Sequence, residues 1–503
     1  MERKANPKPG IAFSAFEAVP FIKTGGLGDV AGSFPAALQL NGCDVRVILP
    51  KLGTISEKYT SQMKHVADFT VKLGWRNQYC GLEELQFGGI TWYFLDNEYY
   101  FKRDKAYGYF DDGERIAFFS MALVECLPHI PGFRCDILHL NDWHTALAPV
   151  FLREFYHGIP YYDRIRTVFT IHNLKFQGQY SDAVLGDILG LAGTPADSQL
   201  RFGEGAVNYM KGALLYSDTL TTVSPTYAEE IKTPFFGEGL ENIFRERSGR
   251  LHGILNGIDT RLFSPESDPC LPARYSLDDP GGKAGCKAAI QAELGLEPRD
   301  DVPLLIMIGR LTEQKGLDLV ARVLDEVMAR RIQIAVLGTG DEQYETLFRG
   351  FGQRYKGRFS ASIKFDAALS NRMYAGADLL LMPSLFEPCG LSQMIAMRYG
   401  TLPIVRETGG LKDSVKPYNQ YTGEGTGFSF ANFNAHEMMH CIFSALDLYE
   451  NDRPAWNRLR ANAMQESFGW DRAAKDYAAI YASLLAEKTK PERQTDKPNE
   501  SVS

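Results

Sequence analysis

The sequence contains no apolar run of about 18 residues, the length that a membrane-spanning helix needs. Its eight cysteines, at positions 43, 80, 126, 135, 270, 286, 389 and 441, stand singly and form no Cys-x-x-Cys pair. That spacing predicts neither a zinc site nor a disulfide framework, so we expect a reducing, cytoplasmic location. The missing apolar run predicts no membrane partner. The formal net charge of -8 argues against a nucleic-acid partner.

The two ends of the sequence lead to different predictions. The start, a charged Met1-Glu2-Arg3-Lys4 followed by an apolar stretch, imitates a signal peptide. Glu17 and Pro20 interrupt that stretch and no small-residue cleavage site follows, so we expect no signal peptide. The last residues, 488–503, are polar with two prolines, which predicts a disordered tail.

Short apolar runs alternate with helical stretches along the whole chain of 503 residues, which is too long for one core. Strands are predicted at 11–16, 44–50, 91–96, 136–142, 167–173 and 219–224, and again at 303–310, 332–338, 379–384 and 402–405. Such alternation is typical of parallel sheets covered on both faces. We therefore predict an α/β fold with two doubly wound domains that face a cleft.

The domain boundaries follow from composition. A stretch rich in proline, glycine and aspartate runs from about 264 to 285, and the seam lies there or a little before it. The predicted domains are 11–252 and 253–469. Residues 470–487 form a final amphipathic helix, because the following apolar residues recur at spacings of three and four: Trp470, Ala474, Tyr477, Tyr481 and Leu484.

A glycine loop, Lys23-Thr24-Gly25-Gly26-Leu27-Gly28-Asp29, joins the first predicted strand to a helix predicted to open at Val30. Backbone N–H groups of such a loop and the helix N-terminus can face an anion, and Lys23 adds a movable charge. The loop lacks the Gly-Lys-Ser/Thr ending of a P-loop and a clear acidic ribose partner about 20 residues on. A bound phosphate and a structural turn both remain interpretations of this loop.

The second half places charged residues at two predicted strand ends. Arg310 and Lys315 lie on a strand-to-helix connection and can clamp a diphosphate; the alternative is a pair of solvated charges. Glu387 follows the strand that ends at Ser384 and can bind sugar hydroxyls or cap a helix. Cys389 is interpreted as a bystander thiol rather than a nucleophile, because no histidine is near in sequence.

The first half also leaves polar groups at strand ends, in Asp142-Trp143-His144 and in His172-Asn173. A histidine alone is usually a structural hydrogen-bonding residue. Ligands of doubly wound sheets lie at the carboxyl ends of the strands, so these groups and the charged residues of the second half predict one site between the domains.

Eight segments of the chain, taken in order, resemble those of a known family. The matching segments, in order, are Lys23 to Asp29, Asn141-Asp142-Trp143-His144, His172-Asn173-Leu174, Val223 to Tyr227, Leu255 to Asp259, Arg310 to Gly316, Phe386 to Leu391 and Thr408-Gly409-Gly410-Leu411. They resemble the bacterial glycogen synthases and plant starch synthases that use ADP-glucose, glycosyltransferase family 5, from about Ile11 to Leu485.

Three positions depart from patterns found in such enzymes. Many relatives have alanine where this chain has Gly28, and many have histidine where it has Asn141. Across the wider class of enzymes with this fold a second glutamate often lies eight residues after the first, where this chain has Ile395. Glu387 is therefore expected to act without that partner.

The resemblance implies two Rossmann-like domains in the GT-B arrangement, with the final helix crossing back onto the first domain. It implies transfer of glucose, with retention, from ADP-glucose to the non-reducing 4-hydroxyl of an α-1,4-glucan. The residues implied in catalysis are His172, Glu387, Arg310, Lys315 and Lys23. The residues implied in substrate binding are Gly25, Gly26, Asp29, Asp142, Trp143, His144, Asn173, Asn256, Cys389, Gly390, Leu391, Thr408, Gly409 and Gly410.

No cofactor and no metal are expected, since the cations can carry the charge of the diphosphate and no convincing Asp-x-Asp motif is present. Two other functions stay open. One is a retaining GT-B transferase that uses a UDP-sugar and a small acceptor. The other is a catalytically silent glucan-binding protein, against which the intact set of cations and Glu387 argues. The oligomeric state is left open.

Overall fold

The computed structural model describes residues 8–487, and two mainly parallel sheets carry its core. The strands of the first half are β1 (Gly10–Ser14), β2 (Asp44–Pro50), β3 (Lys64–Leu73), β4 (Arg76–Phe87), β5 (Ile90–Asp96), β6 (Ile137–Asn141), β7 (Arg166–Ile171), β8 (Gln179–Ser181), β9 (Ala206–Asn208), β10 (Thr219–Thr222) and β11 (Leu251–Gly253). Its helices are α1 (Gly26–Leu40), α2 (Glu57–Thr60), α3 (Glu98–Phe101), α4 (Asp112–Cys126), α5 (Ala148–Phe155), α6 (Pro160–Asp163), α7 (Val184–Asp187), α8 (Pro195–Leu200), α9 (Tyr209–Tyr216), α10 (Pro225–Glu230) and α11 (Glu241–Glu246).

The second half repeats the alternation. Its strands are β12 (Leu304–Ile308), β13 (Gln333–Leu337), β14 (Phe359–Ser362), β15 (Leu379–Met382), β16 (Leu402–Arg406) and β17 (Phe428–Phe430). Its helices are α12 (Gly282–Glu293), α13 (Leu317–Met328), α14 (Glu342–Arg354), α15 (Ala367–Gly376), α16 (Ser392–Arg398), α17 (Gly409–Ser414), α18 (Ala435–Asn451), α19 (Arg453–Gln465) and α20 (Asp471–Glu487). The α/β class with two parallel sheets is confirmed.

Each sheet has a point where the strand order reverses. The first sheet runs β11-β10-β7-β6-β1-β2-β5-β4-β3, so the chain returns to the other side of β1 when it reaches β6. The second runs β14-β13-β12-β15-β16-β17, with the same reversal between β12 and β15. Ligands of doubly wound sheets bind outside the strand ends at such reversals. This topology therefore places the segments after β1, β6, β12 and β15 beside two natural binding crevices.

Two features differ from the sequence prediction. Strands β3 and β4 form an antiparallel hairpin at one edge of the first sheet, which the search for apolar runs missed. Helix α1 begins at Gly26 rather than at Val30, so most of the glycine loop is the first turn of the helix. Glycines weaken a helix pattern in sequence, which hides this start.

The final helix α20 leaves the second half and packs on the first. Its buried side chains Ala474, Tyr477 and Tyr481 belong to the core of the first half. Trp470, which precedes the helix, donates from its indole Nε1 to Ser33 Oγ at 2.8 Å. The predicted return of the final helix is confirmed.

The domain boundaries at 252, 253 and 469 stay predictions, and the tail predicted to be disordered, 488–503, lies outside the described residues. Over residues 8–487 no helix combines the length and the apolar character that crossing a membrane requires.

Candidate active site

A cavity of about 970 Å³ lies between the two halves, at the carboxyl ends of both sheets. In the first half it is lined by residues that follow β1, β6 and β7, and in the second by residues that follow β12, β13 and β15. Both reversals of strand order therefore open into one cavity, which is large enough for a nucleotide sugar.

Most residues predicted for the site line this cavity. They are Lys23, Gly25, Gly26, Asp29, Asp142, Trp143, His144, His172, Asn173, Asn256, Arg310, Lys315, Glu387, Cys389, Gly390 and Leu391. The structure therefore brings together residues that are far apart in the sequence and that belong to both halves.

Thr408, Gly409 and Gly410 are not among the lining residues. Glu230 on α10 accepts hydrogen bonds from Thr408 Oγ1 at 2.9 Å and from the Gly409 amide at 3.1 Å. A Cβ atom at Gly409 or Gly410 would lie about 2 Å from the carbonyl oxygens of Glu387 and Cys389. In this conformation the three residues join the halves and support the loop that carries Glu387.

The glycine loop is held by a buried carboxylate. Glu17, 3% exposed, accepts hydrogen bonds from the amide and the hydroxyl of Thr24, the latter at 2.5 Å. Burial raises the pKa of Glu17, and hydrogen bonds from Thr24 and from the backbone of Gly25 and Gly28 oppose that rise. Some of the loop amides that could face a bound phosphate therefore donate to Glu17 in this structure.

Three cations at the cavity, Lys23, Lys315 and Arg310, differ in how they are paired. Lys23 Nζ lies 2.7 Å from Asp29 Oδ1, and Lys315 Nζ lies 2.6 Å from Glu387 Oε2. Across residues 8–487, Arg310 has no side-chain hydrogen bond or ion pair, and it is exposed at the cavity. Its guanidinium is therefore available to an anionic ligand.

Asp142 occupies a strained position after β6. It has a φ of 58°, which is unfavourable for a residue other than glycine, and its Oδ1 accepts from the amides of His172 at 2.7 Å and Asn173 at 3.4 Å. Burial raises its pKa to about 7, while these amide bonds lower it. Strain held by surrounding bonds and a displaced pKa are both common at functional sites.

The two cavity histidines are neutral; His144 is buried and His172 is partly buried. Burial lowers the pKa of His144 and of His172 to about 3. His144 stacks between Phe16, at 5.1 Å between ring centroids, and Tyr107, at 4.9 Å. At neutral pH these rings serve as hydrogen-bonding and packing groups rather than as cations.

Several cavity residues were not predicted from the sequence. Phe365 is 78% exposed and Phe176 is 50% exposed, and both line the cavity. Tyr107 accompanies them, with its hydroxyl 2.7 Å from Thr24 Oγ1, and Ser384 donates to Glu387 Oε2 at 2.9 Å. An aromatic beside polar loop residues is the only signal that the sequence offers for Phe365.

Two chemistries have no support in the described part of the chain. Residues 8–487 contain no group of three or more His, Cys, Asp or Glu side chains that could hold a metal ion. Cys389 is buried, and burial raises the pKa of its thiol to about 12, so it is not a nucleophile at neutral pH.

The comparisons with known proteins agree with this geometry. Residues 10–246 match the family model of the starch synthase catalytic domain, and residues 294–465 match the glycosyl transferases group 1. The glycogen synthase of Clostridium novyi is 48% identical over 476 residues, which cover 94% of this chain and 99% of that protein. The glycogen synthase of Geobacillus thermodenitrificans is 50% identical over 475 residues, with 94% and 98% covered.

Solved structures are similar as well. The catalytic domain of starch synthase IV from Arabidopsis thaliana, bound to ADP and acarbose, matches with a TM-score of 0.87 at 32% identity, covering 95% of this chain and 100% of that one. A sucrose-phosphate synthase from Thermosynechococcus elongatus matches with a TM-score of 0.60 at 18% identity, which shows a shared fold.

Proposed function

The chain belongs to the family of bacterial glycogen synthases and plant starch synthases, and from that premise we propose that it transfers glucose from ADP-glucose to the non-reducing 4-hydroxyl of an α-1,4-glucan, with retention. It is a glycosyltransferase. ADP as the nucleotide is supported by the Arabidopsis starch synthase IV structure, which contains ADP and acarbose. The free thiols support the proposed cytoplasmic location.

The observation that carries the proposal is the unpaired Arg310 facing the cavity beside the Lys315–Glu387 ion pair. A site that only binds a neutral glucan has no use for an unpaired guanidinium at this place. A diphosphate leaving group gains negative charge as its bond to the anomeric carbon breaks. Arg310 can bind that charge with two parallel hydrogen bonds, and Lys315 can add a point charge.

Retention places the departing diphosphate and the incoming hydroxyl on the same face of the sugar. The bond from the anomeric carbon to the diphosphate oxygen breaks, the bond to the acceptor 4-oxygen forms, and the hydroxyl proton passes to the departing phosphate oxygen. The anomeric carbon gains positive charge, which the backbone carbonyl of His172 can face. Preorganised dipoles and charges of this kind stabilise a transition state without reorganising.

The sugar lies between the halves in this proposal. Glu387 accepts hydrogen bonds from glucose hydroxyls, and the imidazole of His172 faces the 6-hydroxyl. Asp142, Trp143, His144 and Asn256 line the pocket around the sugar, and Lys23 contacts the distal phosphate. All of these side chains belong to the cavity lining.

Incubating the protein separately with ADP-glucose, UDP-glucose and a control without donor, each with glycogen, tests this proposal. We expect faster glucose transfer from ADP-glucose, and the added residues should be released by an enzyme specific for α-1,4 linkages. Clearly faster transfer from UDP-glucose would favour the other transferase hypothesis. Glycogen binding without transfer from either donor would favour a silent binding protein.

A further inference from the structure

Asn141 joins three neighbouring strand ends beneath the cavity. It is the last residue of β6 and is 1% exposed. Its Nδ2 donates to the carbonyl of Ser14, at the end of β1, at 2.9 Å. Its Oδ1 lies 2.9 Å from Nε2 of His172, which follows β7.

The carbonyl of Ser14 fixes the orientation of the Asn141 side-chain amide, and with it the direction of the hydrogen bond to His172. A carbonyl oxygen only accepts, so the amide nitrogen of Asn141 must face it and the amide oxygen must face His172. The reversed amide would place two acceptors against each other. Since Oδ1 also only accepts, Nε2 of His172 must carry a proton and donate it.

The other ring nitrogen of His172 is then an acceptor. Burial lowers the pKa of His172, so the ring is neutral and Nδ1 keeps its lone pair. Within residues 8–487, Nδ1 makes no hydrogen bond, and His172 lines the cavity. An unpaired acceptor beside a cavity calls for a donor on the ligand.

We propose that Asn141 is a positioning residue, which fixes His172 in the tautomer protonated at Nε2 so that Nδ1 accepts a hydrogen bond from the 6-hydroxyl of the transferred glucose. The identity of that hydroxyl rests on the proposed function. A sugar with a carboxylate at this carbon presents only acceptors to Nδ1 and is disfavoured. A sugar without the hydroxyl leaves Nδ1 unpaired.

His139 shows what a less constrained histidine looks like in the same sheet. It is more deeply buried, and its partners are the hydroxyls of Tyr481, at 2.6 Å, and Thr170, at 2.7 Å. A hydroxyl both donates and accepts, so these bonds permit either tautomer. The amide–carbonyl pair at Asn141 removes that freedom for His172.

The tautomer is measured directly on the unliganded wild-type protein. Nitrogen-15 labelling of the histidines, with His172 assigned by the loss of its signals in H172Q, reports the protonation of each ring nitrogen. We expect a protonated-type shift for Nε2 and an unprotonated-type shift for Nδ1 at pH 7. A ring protonated at Nδ1, or an equal mixture of tautomers, would overturn the inference even if glucose transfer from ADP-glucose is observed.

The consequence for the substrate is tested by combining a variant of Asn141 with a donor that lacks the 6-hydroxyl. Wild type and N141A are compared with ADP-glucose and with its 6-deoxy analogue. A neutral hydrogen bond predicts that removing the hydroxyl lowers kcat/KM about tenfold in wild type and less than about threefold in N141A. N77A, on an exposed position of β4, is the matched control and should behave as wild type.

If Asn141 only holds the three strands together, N141A loses stability and activity while the tenfold effect of the deoxy sugar remains, which refutes the inference. N141S serves where N141A does not fold, and the tautomer measurement needs no variant. Absence of any glucose transfer by wild type would refute the proposed function and leave the tautomer result standing.

Discussion

At the residue scale, the ion pair between Lys315 and Glu387 sets the charge of the second half of the cavity. Their side chains are 23% and 9% exposed, and the Nζ–Oε2 distance is 2.6 Å. The pair is neutral as a unit, so Arg310 alone supplies net positive charge on this side. Glu387 therefore orients Lys315, and in the proposed function its second carboxylate oxygen binds the sugar.

The first prediction concerns Glu387. E387A should fold normally and lose about 30- to 1,000-fold in kcat, because a charge-assisted contact made in the transition state is worth about 2–4 kcal/mol. Steady-state kinetics and a circular dichroism spectrum check both statements. E342A, an exposed glutamate of α14 outside the cavity lining, is the control. More than half of the wild-type kcat in E387A would reject the role.

Phe365 carries the second prediction. It is 78% exposed, yet it lines the cavity in the segment that follows β14, and a large exposed ring beside the proposed nucleotide site is suited to stack on a base. Since stacking on an aromatic ring is worth about 1–3 kcal/mol, F365A should raise the KM for the nucleotide sugar roughly 5- to 150-fold with little change in kcat. Y421A, 89% exposed and away from the cavity, is the control. An unchanged KM would remove Phe365 from the nucleotide site.

The third prediction concerns metal ions. In the proposed function Arg310 and Lys315 supply the positive charge that a divalent ion supplies in other transferases, so we expect activity to survive excess chelator. The assay compares initial rates before and after chelation, with magnesium and manganese added back. Complete loss that either ion restores would show that the diphosphate site is misinterpreted.

At the element scale, α20 is held to the first sheet by buried polar contacts as well as by its apolar face. Tyr481 hydrogen-bonds His139 at 2.6 Å, and Tyr477 lies 3.3 Å from the hydroxyl of Thr221. Burial lowers the pKa of His139 to about 3. Protonation of His139 therefore opposes the packing of α20 on the first sheet.

The fourth prediction follows from that pKa. Between about pH 6.5 and 3 the unfolded chain binds a proton at His139 that the folded chain does not, so the free energy of unfolding falls as pH falls through this window. His144 and His172 act in the same direction. Asp142 acts in the opposite direction, because its pKa is raised to about 7 and the folded chain holds its proton.

H139Q removes one of the groups that bind a proton in the unfolded chain but not in the folded chain. Its unfolding free energy, measured in urea from pH 4 to 6, should depend on pH less steeply than that of wild type, by about 1.4 kcal/mol per pH unit. H157Q, at an exposed position with a side chain 83% accessible, should keep the wild-type slope. Equal slopes for H139Q and wild type would contradict the coupling.

The same elements show which parts of the fold the sequence can reveal. β1 and β6 are buried along their whole length and consist mostly of apolar residues, so they are easy to detect. β3 is an edge strand that alternates exposed and buried residues, and its charged positions hide it from a search for apolar runs. The start of α1 is hidden for a different reason, because glycine has a low helix propensity.

The candidate site divides in the same way. Residues that follow apolar strands, such as Arg310 and Glu387, could be predicted because each strand end is visible in sequence. Glu17, Tyr107 and Phe365 lie in irregular segments, and only tertiary packing brings them to the cavity. The hydroxyl of Thr408 donates to Glu230 of the other half, a contact that the sequence does not reveal, and its substrate-binding role stays a prediction of the family resemblance.

At the scale of the whole molecule, three contacts besides those of Glu230 hold the halves together on one side of the cavity. The chain crosses between the halves twice, and the crossings meet where the Ile258 amide donates to the Phe468 carbonyl at 2.8 Å. Ser224 Oγ donates to the Pro388 carbonyl at 2.7 Å, and Thr226 Oγ1 donates to Asp413 at 2.6 Å. These contacts mark the place about which the halves can turn.

The last prediction is that donor binding closes the cavity. Lys23 and the glycine loop belong to the first half, and Arg310, Lys315 and Glu387 belong to the second. A nucleotide sugar that touches both sets is enclosed only when the halves approach, whereas a long glucan needs an open cleft to enter and leave. Closure also excludes water, which competes with the glucan for the activated sugar.

Small-angle scattering with and without ADP tests closure directly. We expect a smaller radius of gyration at saturating ADP, produced by rotation about the two crossings and the α10–α17 contact, since those contacts lie beside the chain connections. S224A and T226V together weaken that contact without touching the cavity cations, so they should change the extent of closure more than the affinity for ADP. An unchanged radius of gyration at a concentration shown to saturate the site would show that donor binding does not close the cavity. Exclusion of water by closure would then be refuted as well.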